Sequence, residues 1–393
     1  MNLDNINLAN IEKSTIIVSY PFEYDKDKVL RLNPKNMVQL NKDYLTDFLP
    51  YTKNNFFGEY QLSDESPKKI TLPCIINHDS ASTIEFYKDK KIKNPSIKVE
   101  KIEIYFFEKD IAILTIDYRI PDALSDLEYL YYHTKLSTLA KRSNQNLKTS
   151  NGQEFKYYYK FIDDLISIYT NKLTNIFTRS NMYTYNLLVA DYCIEPTTAK
   201  KFLEPLTQYR DKLDLFNIDK ISANHIQQTT NINTIANENV VVHIGIKRES
   251  DSNNFINNEF FKKYTNNHLL TYIITIYQVS KLEQLINKAL IEEKDSKDLK
   301  NMRQIKSEML YFISNVNFTK ISNNSIRNNL YKFYRKSIDI KDMTEEVDTI
   351  SEKITNELGV ILETKSQARY TILNYLIAFF GFLISSTIAI IFS

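Results

Sequence analysis

Glycine is scarce in this 393-residue chain, which contains only five glycines. A phosphate cradle needs clustered backbone N–H groups with no Cβ in the way, and its sequence motifs are GxGxxG and GxxxxGK[ST]. No two of the glycines lie close enough to build either motif, and no GxSxG turn occurs. The glycine-rich motifs of dinucleotide-binding and P-loop proteins are therefore excluded, and so is a GxSxG nucleophile elbow. The glycines are at positions 58, 152, 245, 359 and 381.

Cysteine is scarce as well, and charge of neither sign is in large excess. The two cysteines, Cys74 and Cys193, are too few for a disulfide framework, so we expect a reducing compartment. The net charge is +2, from 50 basic and 48 acidic residues, which is not the basic footprint of a DNA-binding protein. The N-terminus has two acidic residues before its first lysine and no apolar core, so we predict no secretory signal.

Residues with metal-binding or catalytic side chains are scattered along the sequence. Cys74 and His78 form a C-x3-H pair, but no second pair completes a four-ligand metal site. His243 alternates with apolar residues in VVVHIGI, a pattern that allows its side chain to point outward. No nucleophile set is recognisable from the sequence. We therefore predict no catalytic residue, no metal site and no enzymatic activity, and the sequence identifies no cofactor.

The N-terminal part mixes predicted strands and helices. Thr15–Ser19, Ile70–Ile76 and Thr83–Tyr87 are β-branched or aromatic runs, and IEIYFFEKDIAILTIDYRI (102–120) predicts a hairpin. Polar residues 229–239 predict a linker before the strand VVVHIGI. This mixture predicts an α/β or α+β domain over residues 1–248. A polar stretch near 143–153 leaves open whether it is one domain or two subdomains.

Helical periodicity dominates the C-terminal part. Residues 249–369 are predicted to form a helical region that ends in a stalk helix, because apolar residues recur every three or four positions. We predict that this helix continues to Phe392 and is roughly 75 Å long. Its apolar stripe consists of Met343, Val347, Ile350, Ile354, Leu358 and Ile361.

Residues 370–393 have the composition of a transmembrane helix. No Lys, Arg, Asp or Glu occurs among them, and Lys365 and Arg369 precede them. Length and flanking charge predict one span with the N-terminal domain in the cytoplasm, and so a single-pass protein of the inner membrane with the lipid bilayer as a partner. Asn374, Gly381 and Ser385 are candidate contacts between copies. The alternative is that the serine and threonine hydroxyl groups of this segment donate hydrogen bonds only to backbone carbonyl groups of their own helix.

A basic stretch precedes the stalk helix. Its lysines and arginines are interleaved with aromatic residues, a composition that suits a small anionic or nucleotide ligand. The alternative is an ordinary solvated helix face. The candidate ligand-binding residues are Lys320, Arg327, Lys332, Arg335 and Lys336.

From about residue 240 onward, the layout resembles the CorA family of metal-ion transporters and its divergent bacterial relatives. The resembling features are VVVHIGI, YIITIYQVSKLEQLINKAL, NFTKISNNSIRNNLYKFYRKSIDI and the stalk helix that runs into residues 370–393. The resemblance implies a cytoplasmic α/β domain, a pentamer with a central pore and, for divergent relatives, an effector of bacterial antiviral defence that is gated by a nucleotide-type messenger. The sequence departs from the family because it lacks the Gly-Met-Asn triplet and a second span.

Two functions follow as hypotheses. The first is an oligomeric membrane channel or effector subunit with a ligand-sensing domain. The second is a tail-anchored binding or scaffold protein whose anchor does not conduct ions.

Overall fold

The computed structural model describes residues 11–38, 45–57, 72–78, 83–86, 96–108, 110–124, 128–129, 132–133, 136, 147–156, 158–170, 182–190, 224–247, 255–295 and 299–392. In the last helix, Ile340–Phe392, the structure describes the side chains as far as Gly381. The chain divides into two compact units. Unit 1 contains residues 1–281 and 318–341, and unit 2 contains residues 282–317 and 342–393.

Unit 1 is built on an 11-stranded mixed sheet with the order β7-β6-β3-β4-β5-β1-β8-β11-β10-β9, in which β2 also pairs with β4. The pairing of β8 with β11 is parallel, and the other pairs are antiparallel. The strands are β1 (Ile11–Glu23), β2 (Cys74–Asn77), β3 (Thr83–Phe86), β4 (Ser96–Phe106), β5 (Ile111–Arg119), β6 (Leu147–Thr149), β7 (Glu154–Phe155), β8 (Tyr183–Ala190), β9 (Asn224–Thr229), β10 (Ile232–Ala236) and β11 (Val240–Ile246).

The hairpin predicted at residues 102–120 is confirmed. Strands β4 and β5 pair antiparallel, with Phe106 opposite Ala112. The turn closes where the Phe107 N–H donates to the Ile111 carbonyl oxygen at 3.0 Å, and Asp110 adopts a φ of 60°. An aspartate tolerates this left-handed conformation better than a β-branched residue does, so the turn suits its sequence.

The linker predicted at 229–239 is wrong, because β10 lies inside it and its first residue, Thr229, is the last residue of β9. Two buried polar side chains of β10 find partners on neighbouring strands. Asn233 Oδ1 lies 3.1 Å from His225 Nε2, and Thr234 Oγ1 lies 2.6 Å from His243 Nδ1. A polar residue can be buried in a sheet when such a partner satisfies it.

Apolar side chains cover both faces of the sheet. One face forms a large core with Phe161 and Leu165 of a helix at Tyr158–Ser167. On the other face Leu187 and Val189 pack with aromatic residues around Phe260. A Cβ on Gly245 of β11 would come within 3.0 Å of the Phe260 ring, so the helix approaches the strand closely there.

The helices are α1 (Lys26–Leu30), α2 (Pro50–Phe56), α3 (Tyr158–Ser167), α4 (Phe260–Lys263), α5 (Leu269–Asp295), α6 (Leu299–Asn315), α7 (Ser325–Ser337) and α8 (Ile340–Phe392). A π-helical turn precedes α4 and another, Tyr264–His268, follows it. The predicted uninterrupted helix to Phe392 is confirmed, because α8 has 53 residues, roughly 80 Å.

The apolar stripe of α8 is partly buried in the single chain. Val347, Ile354 and Leu358 are buried, and so are Met309 and Phe312 of α6 in the same unit. This part of the stripe is therefore covered by its own chain.

Among the described residues, no helix is long and apolar enough to cross a membrane. A span needs about 20 apolar residues, or about 30 Å. The described side chains of α8 beyond Arg369 run from Tyr370 to Gly381, which is roughly 18 Å of helix. The predicted C-terminal transmembrane helix at 370–393 is wrong on this finding, and so is the predicted single-pass location in the inner membrane.

Candidate functional site

Helix α7 carries most of the predicted ligand-binding residues. It begins after Asn324, whose side-chain oxygen accepts a hydrogen bond from the Arg327 N–H at 3.2 Å. This is the usual N-cap interaction, so the helix starts where the sequence offers a cap. The helix ends at Ser337, and Asp339 follows it with a φ of 54°.

The structure does not bring the five predicted basic residues together on one surface. Lys320, Lys332 and Lys336 are exposed, whereas Arg327 is buried and Arg335 is half-buried. Residues at i, i+4 and i+8 lie on one face of a helix, so Arg327 and Arg335 share the inward face. Only the three lysines are thus placed to meet a ligand from solution.

Arg335 is held inside unit 1 by a polar network. Its Nη1 atom donates to Gln278 Oε1 at 3.2 Å, to the Phe318 carbonyl oxygen at 3.1 Å and to the Tyr331 hydroxyl oxygen at 2.9 Å. The Tyr331 hydroxyl also donates to the Phe318 carbonyl oxygen at 2.7 Å. These bonds fix α7 against α5.

Arg327 is almost fully buried, with 1% of its surface exposed. Its guanidinium lies 4.2 Å from the centre of the Phe48 ring, and its Nη2 atom lies 3.9 Å from Asp47 Oδ2. Burial lowers the pKa of Arg327 to about 10, and the charge of Asp47 opposes this shift. Backbone bonds strengthen the same contact, since the Leu49 N–H donates to the Ile321 carbonyl oxygen at 2.9 Å.

A histidine that the sequence pattern allowed to point outward lies in the core. His243 is completely buried, and its Nε2 atom lies 3.1 Å from the Tyr334 hydroxyl. The rings of Tyr185 and Tyr264 have their centres 4.8 and 4.9 Å from that of His243. The signal was the unbroken apolar run around it, which is typical of a strand buried on both faces.

His243, which is buried, and His268, which is half-buried, lie in one aromatic cluster. The ring centre of His268 lies 4.5 Å from that of Tyr264. Burial lowers the pKa of His243 well below its usual value, and the charge of His268 adds to the effect. Burial, and after it the charges of Arg327 and Lys263, lower the pKa of His268 to about 3. Both imidazoles are therefore neutral at pH 7, and His243 of β11 contacts both Tyr334 of α7 and Tyr264 of the π-helical turn.

Two carboxylates lie side by side on strands β4 and β5. Asp117 accepts a short hydrogen bond from Thr15, and burial raises the pKa of Asp117 to about 6 although that bond and Lys101 oppose the shift. Glu103 is buried, pairs with Lys101 at 2.8 Å and accepts from the Tyr105 hydroxyl at 3.0 Å. The residues that the structure describes contain no group of three or more potential metal ligands.

The residues predicted to join copies lie on α8. Asn374 and Gly381 are exposed in the single chain, and the side chain of Ser385 is outside the described residues. Large apolar side chains around them are exposed by 48% to 73%. These are Tyr370, Ile372, Leu373, Tyr375, Leu376, Ile377, Phe379 and Phe380.

Comparison with models of protein families finds no match for this chain, and no curated protein matches it significantly. Neither comparison bears on the resemblance to the CorA family, which stays a prediction that rests on the layout of the C-terminal part.

Proposed function

We propose that this protein is a self-assembling subunit whose copies associate through the exposed apolar part of α8. The observation that carries the proposal is the set of eight large apolar side chains between Tyr370 and Phe380, each exposed by about half or more in the single chain. A monomer rarely leaves a contiguous apolar patch larger than a few hundred Å² in water.

The exposed area is of the size that a stable interface needs. If a large apolar side chain offers about 200 Å², the exposed parts of these eight come to roughly 900 Å². A standard interface buries about 800 Å² on each partner. These eight side chains, which spread around more than half of the helix, together supply enough area for specific association.

A second copy of the chain fits this surface. The stretch from Tyr370 to Gly381 contains no charged residue, and Arg369 comes directly before it. Closed assemblies of identical chains are the commonest kind of soluble oligomer.

Assembly is tested by sedimentation velocity of the full chain at several concentrations. One chain has a mass of 46.2 kDa, and we expect the wild-type protein to sediment as a multiple of it. Replacing both Leu373 and Phe380 by Asn should release single chains, because buried unpaired amides are costly. Leu310→Asn is the matched control, because Leu310 is a similarly exposed apolar residue of α6. A monomeric wild-type protein at all concentrations would refute the proposal.

A second candidate function is the binding of a small anionic ligand by unit 1. Lys332 and Lys336 lie one turn apart on the exposed face of α7, and Lys320 is exposed before the helix. Lysine ammonium groups bind phosphates as point charges. The inward bonds of Arg335 hold the helix that presents these lysines in place.

Ligand binding is tested by calorimetric titration with inorganic phosphate and with nucleoside mono-, di- and triphosphates. Charge reversal at Lys332 and Lys336 should weaken any binding at least tenfold, since each lost ion pair is worth about 1 kcal/mol. Lys262→Glu combined with Lys263→Glu makes the same change of charge on α4 and serves as the control. Equal affinity of the wild-type protein and the α7 variant would rule out this surface.

A further inference from the structure

The turn between β6 and β7 brings a reactive pair of residues to the surface. Its loop is Ser150-Asn151-Gly152, which contains the only Asn-Gly pair of the sequence. The Gly152 N–H donates to the Thr149 carbonyl oxygen at 2.9 Å, and Gly152 adopts a φ of 87°. A three-residue hairpin loop commonly ends in such a left-handed residue, and glycine adopts this conformation without strain. The turn therefore requires a glycine directly after Asn151.

The side-chain amide of Asn151 is exposed and polarised. Its Oδ1 atom accepts a short hydrogen bond from the Thr149 hydroxyl and a second one from the Gln153 N–H at 3.2 Å. Two donors draw electron density away from the carbonyl carbon Cγ, as the donors of an oxyanion hole do. Apart from its chain neighbours, no atom lies within 4 Å of the place that a Cβ of Gly152 would take. The Gly152 nitrogen can therefore approach Cγ without obstruction by a side chain.

We infer that Asn151 is a modification site, at which the asparagine of the folded protein reacts with water to give aspartate and isoaspartate. The Gly152 nitrogen loses its proton to the solvent and bonds to Cγ of Asn151, which closes a five-membered ring. Such a ring closure is favoured because both groups belong to adjacent residues. The inference is independent of the proposed self-assembly.

The atoms of this reaction balance. The side-chain nitrogen of Asn151 takes up a proton from the solvent and leaves as ammonia. Water then opens the cyclic imide at either of its two carbonyl carbons, which gives aspartate or isoaspartate. One water molecule is consumed and one ammonia molecule is released, and nothing is oxidised or reduced.

One hydrogen bond opposes the reaction, because the Gly152 N–H must leave the Thr149 carbonyl oxygen before the nitrogen can attack. This bond lies where the sheet opens easily. Strand β7 has two residues and stands at one end of the strand order among the described strands. Exposed edges of this kind open locally at a low cost in free energy.

The conversion changes both the bonds and the charge of the turn. Asn151 Nδ2 donates to Gln153 Oε1 at 3.3 Å, and an ionised carboxylate cannot donate this bond. The new negative charge lies three residues before Glu154 of β7. We therefore expect the pairing of β6 with β7 to be weaker in the product.

Peptide mapping of the full chain tests the inference. Trypsin cleaves after Lys148 and Lys156, so Asn151 appears in the peptide TSNGQEFK, residues 149–156. After incubation of the folded protein in mildly alkaline buffer, we expect two new chromatographic peaks for this peptide, aspartate and isoaspartate. Both have the mass change of an NH2 group replaced by OH. The rate should lie within about tenfold of that in the free synthetic peptide, because the turn opens at low cost.

Two controls make the result specific. Asn151→Gln should abolish both new peaks, because its longer side chain would have to close a six-membered ring. Asn324, the N-cap of α7, is followed by Ser325, which carries a Cβ and lies in the helix, so it should convert at least about tenfold more slowly.

Two results would overturn the inference. One is an unmodified Asn151 in the folded protein under conditions in which the free peptide converts. The other is equal conversion at Asn324. Far-UV circular dichroism confirms that the protein stays folded during the incubation.

Discussion

Lowering the pH from 7 to 5 should reduce the free energy of unfolding, because His243 and His268 both resist protonation in the folded chain. The folded-state pKa is about 3 for His268 and well below the usual value for His243. The unfolded chain takes up these protons below about pH 6.5, which costs about 2 kcal/mol for His268 by pH 5 and adds a loss of the same sign for His243. The stability that the two neutral histidines contribute is fully present above about pH 6.5 and is lost as the pH falls towards their folded-state pKa values.

The groups around the two histidines support this sign. Tyr185, Tyr264 and Tyr334 surround His243 without a negative charge, and Arg327 and Lys263 oppose a proton on His268. Asp117 acts in the other direction, since its folded-state pKa of about 6 makes the folded protein take up a proton first. Between pH 7 and pH 5, this proton uptake by Asp117 raises the free energy of unfolding by about 1 kcal/mol.

Urea unfolding at pH 7, 6 and 5, at one protein concentration, measures the loss. Relative to its own stability at pH 7, His268→Gln should lose about 2 kcal/mol less than the wild-type protein, and Asp117→Asn about 1 kcal/mol more. A wild-type protein that is equally stable at pH 7 and pH 5 would contradict the buried, neutral state of the histidines.

Replacing Arg327 by alanine should destabilise the protein by about 3 kcal/mol, through the cavity and the loss of the contact with Phe48. The partner carboxylate of Asp47 is 42% exposed, so water solvates it after the change and keeps the loss at the lower end of the range for buried pairs. Thermal and urea unfolding at pH 7 measure this effect.

Arg327→Met separates packing from charge. Methionine fills most of the volume and removes a buried charge, so we expect stability within about 1 kcal/mol of the wild-type protein. The same change removes a positive charge near His268, so the pKa of His268 should rise, and NMR titration is the measurement that checks this. Lys332→Ala on the exposed face of α7 is the control, with an expected change below about 0.5 kcal/mol. If Arg327→Ala reduced stability no more than Lys332→Ala does, the contacts of the buried Arg327 side chain would not stabilise the protein.

Strands and helices with a clear periodic spacing of apolar residues were predictable from the sequence. The hairpin of β4 and β5 and the uninterrupted helix α8 follow from alternation and from three- and four-residue spacings, which depend only on neighbours along the chain. The sequence also predicts that Arg327 and Lys332 lie on different faces of α7, because side chains five residues apart on a helix point in different directions.

Burial by distant parts of the chain was not predictable in this way. Strand β10 looked like a linker because the partners of Asn233 and Thr234 come from β9 and β11. The apolar residues 370–393 looked like a membrane span by composition alone, whereas the described part of α8 does not support one.

The sequence by itself determined the positions of the periodic strands and helices, the absence of nucleotide-binding glycine motifs and the position of the apolar end of α8. Only the tertiary structure decided that Arg327 and His243 are internal, that Lys332 and Lys336 face the solvent, and that His268 and Asp117 have shifted pKa values. Periodicity is a property of adjacent residues, but desolvation and charge effects arise from groups such as Arg327 and His268, which are far apart in sequence and meet only in the folded unit.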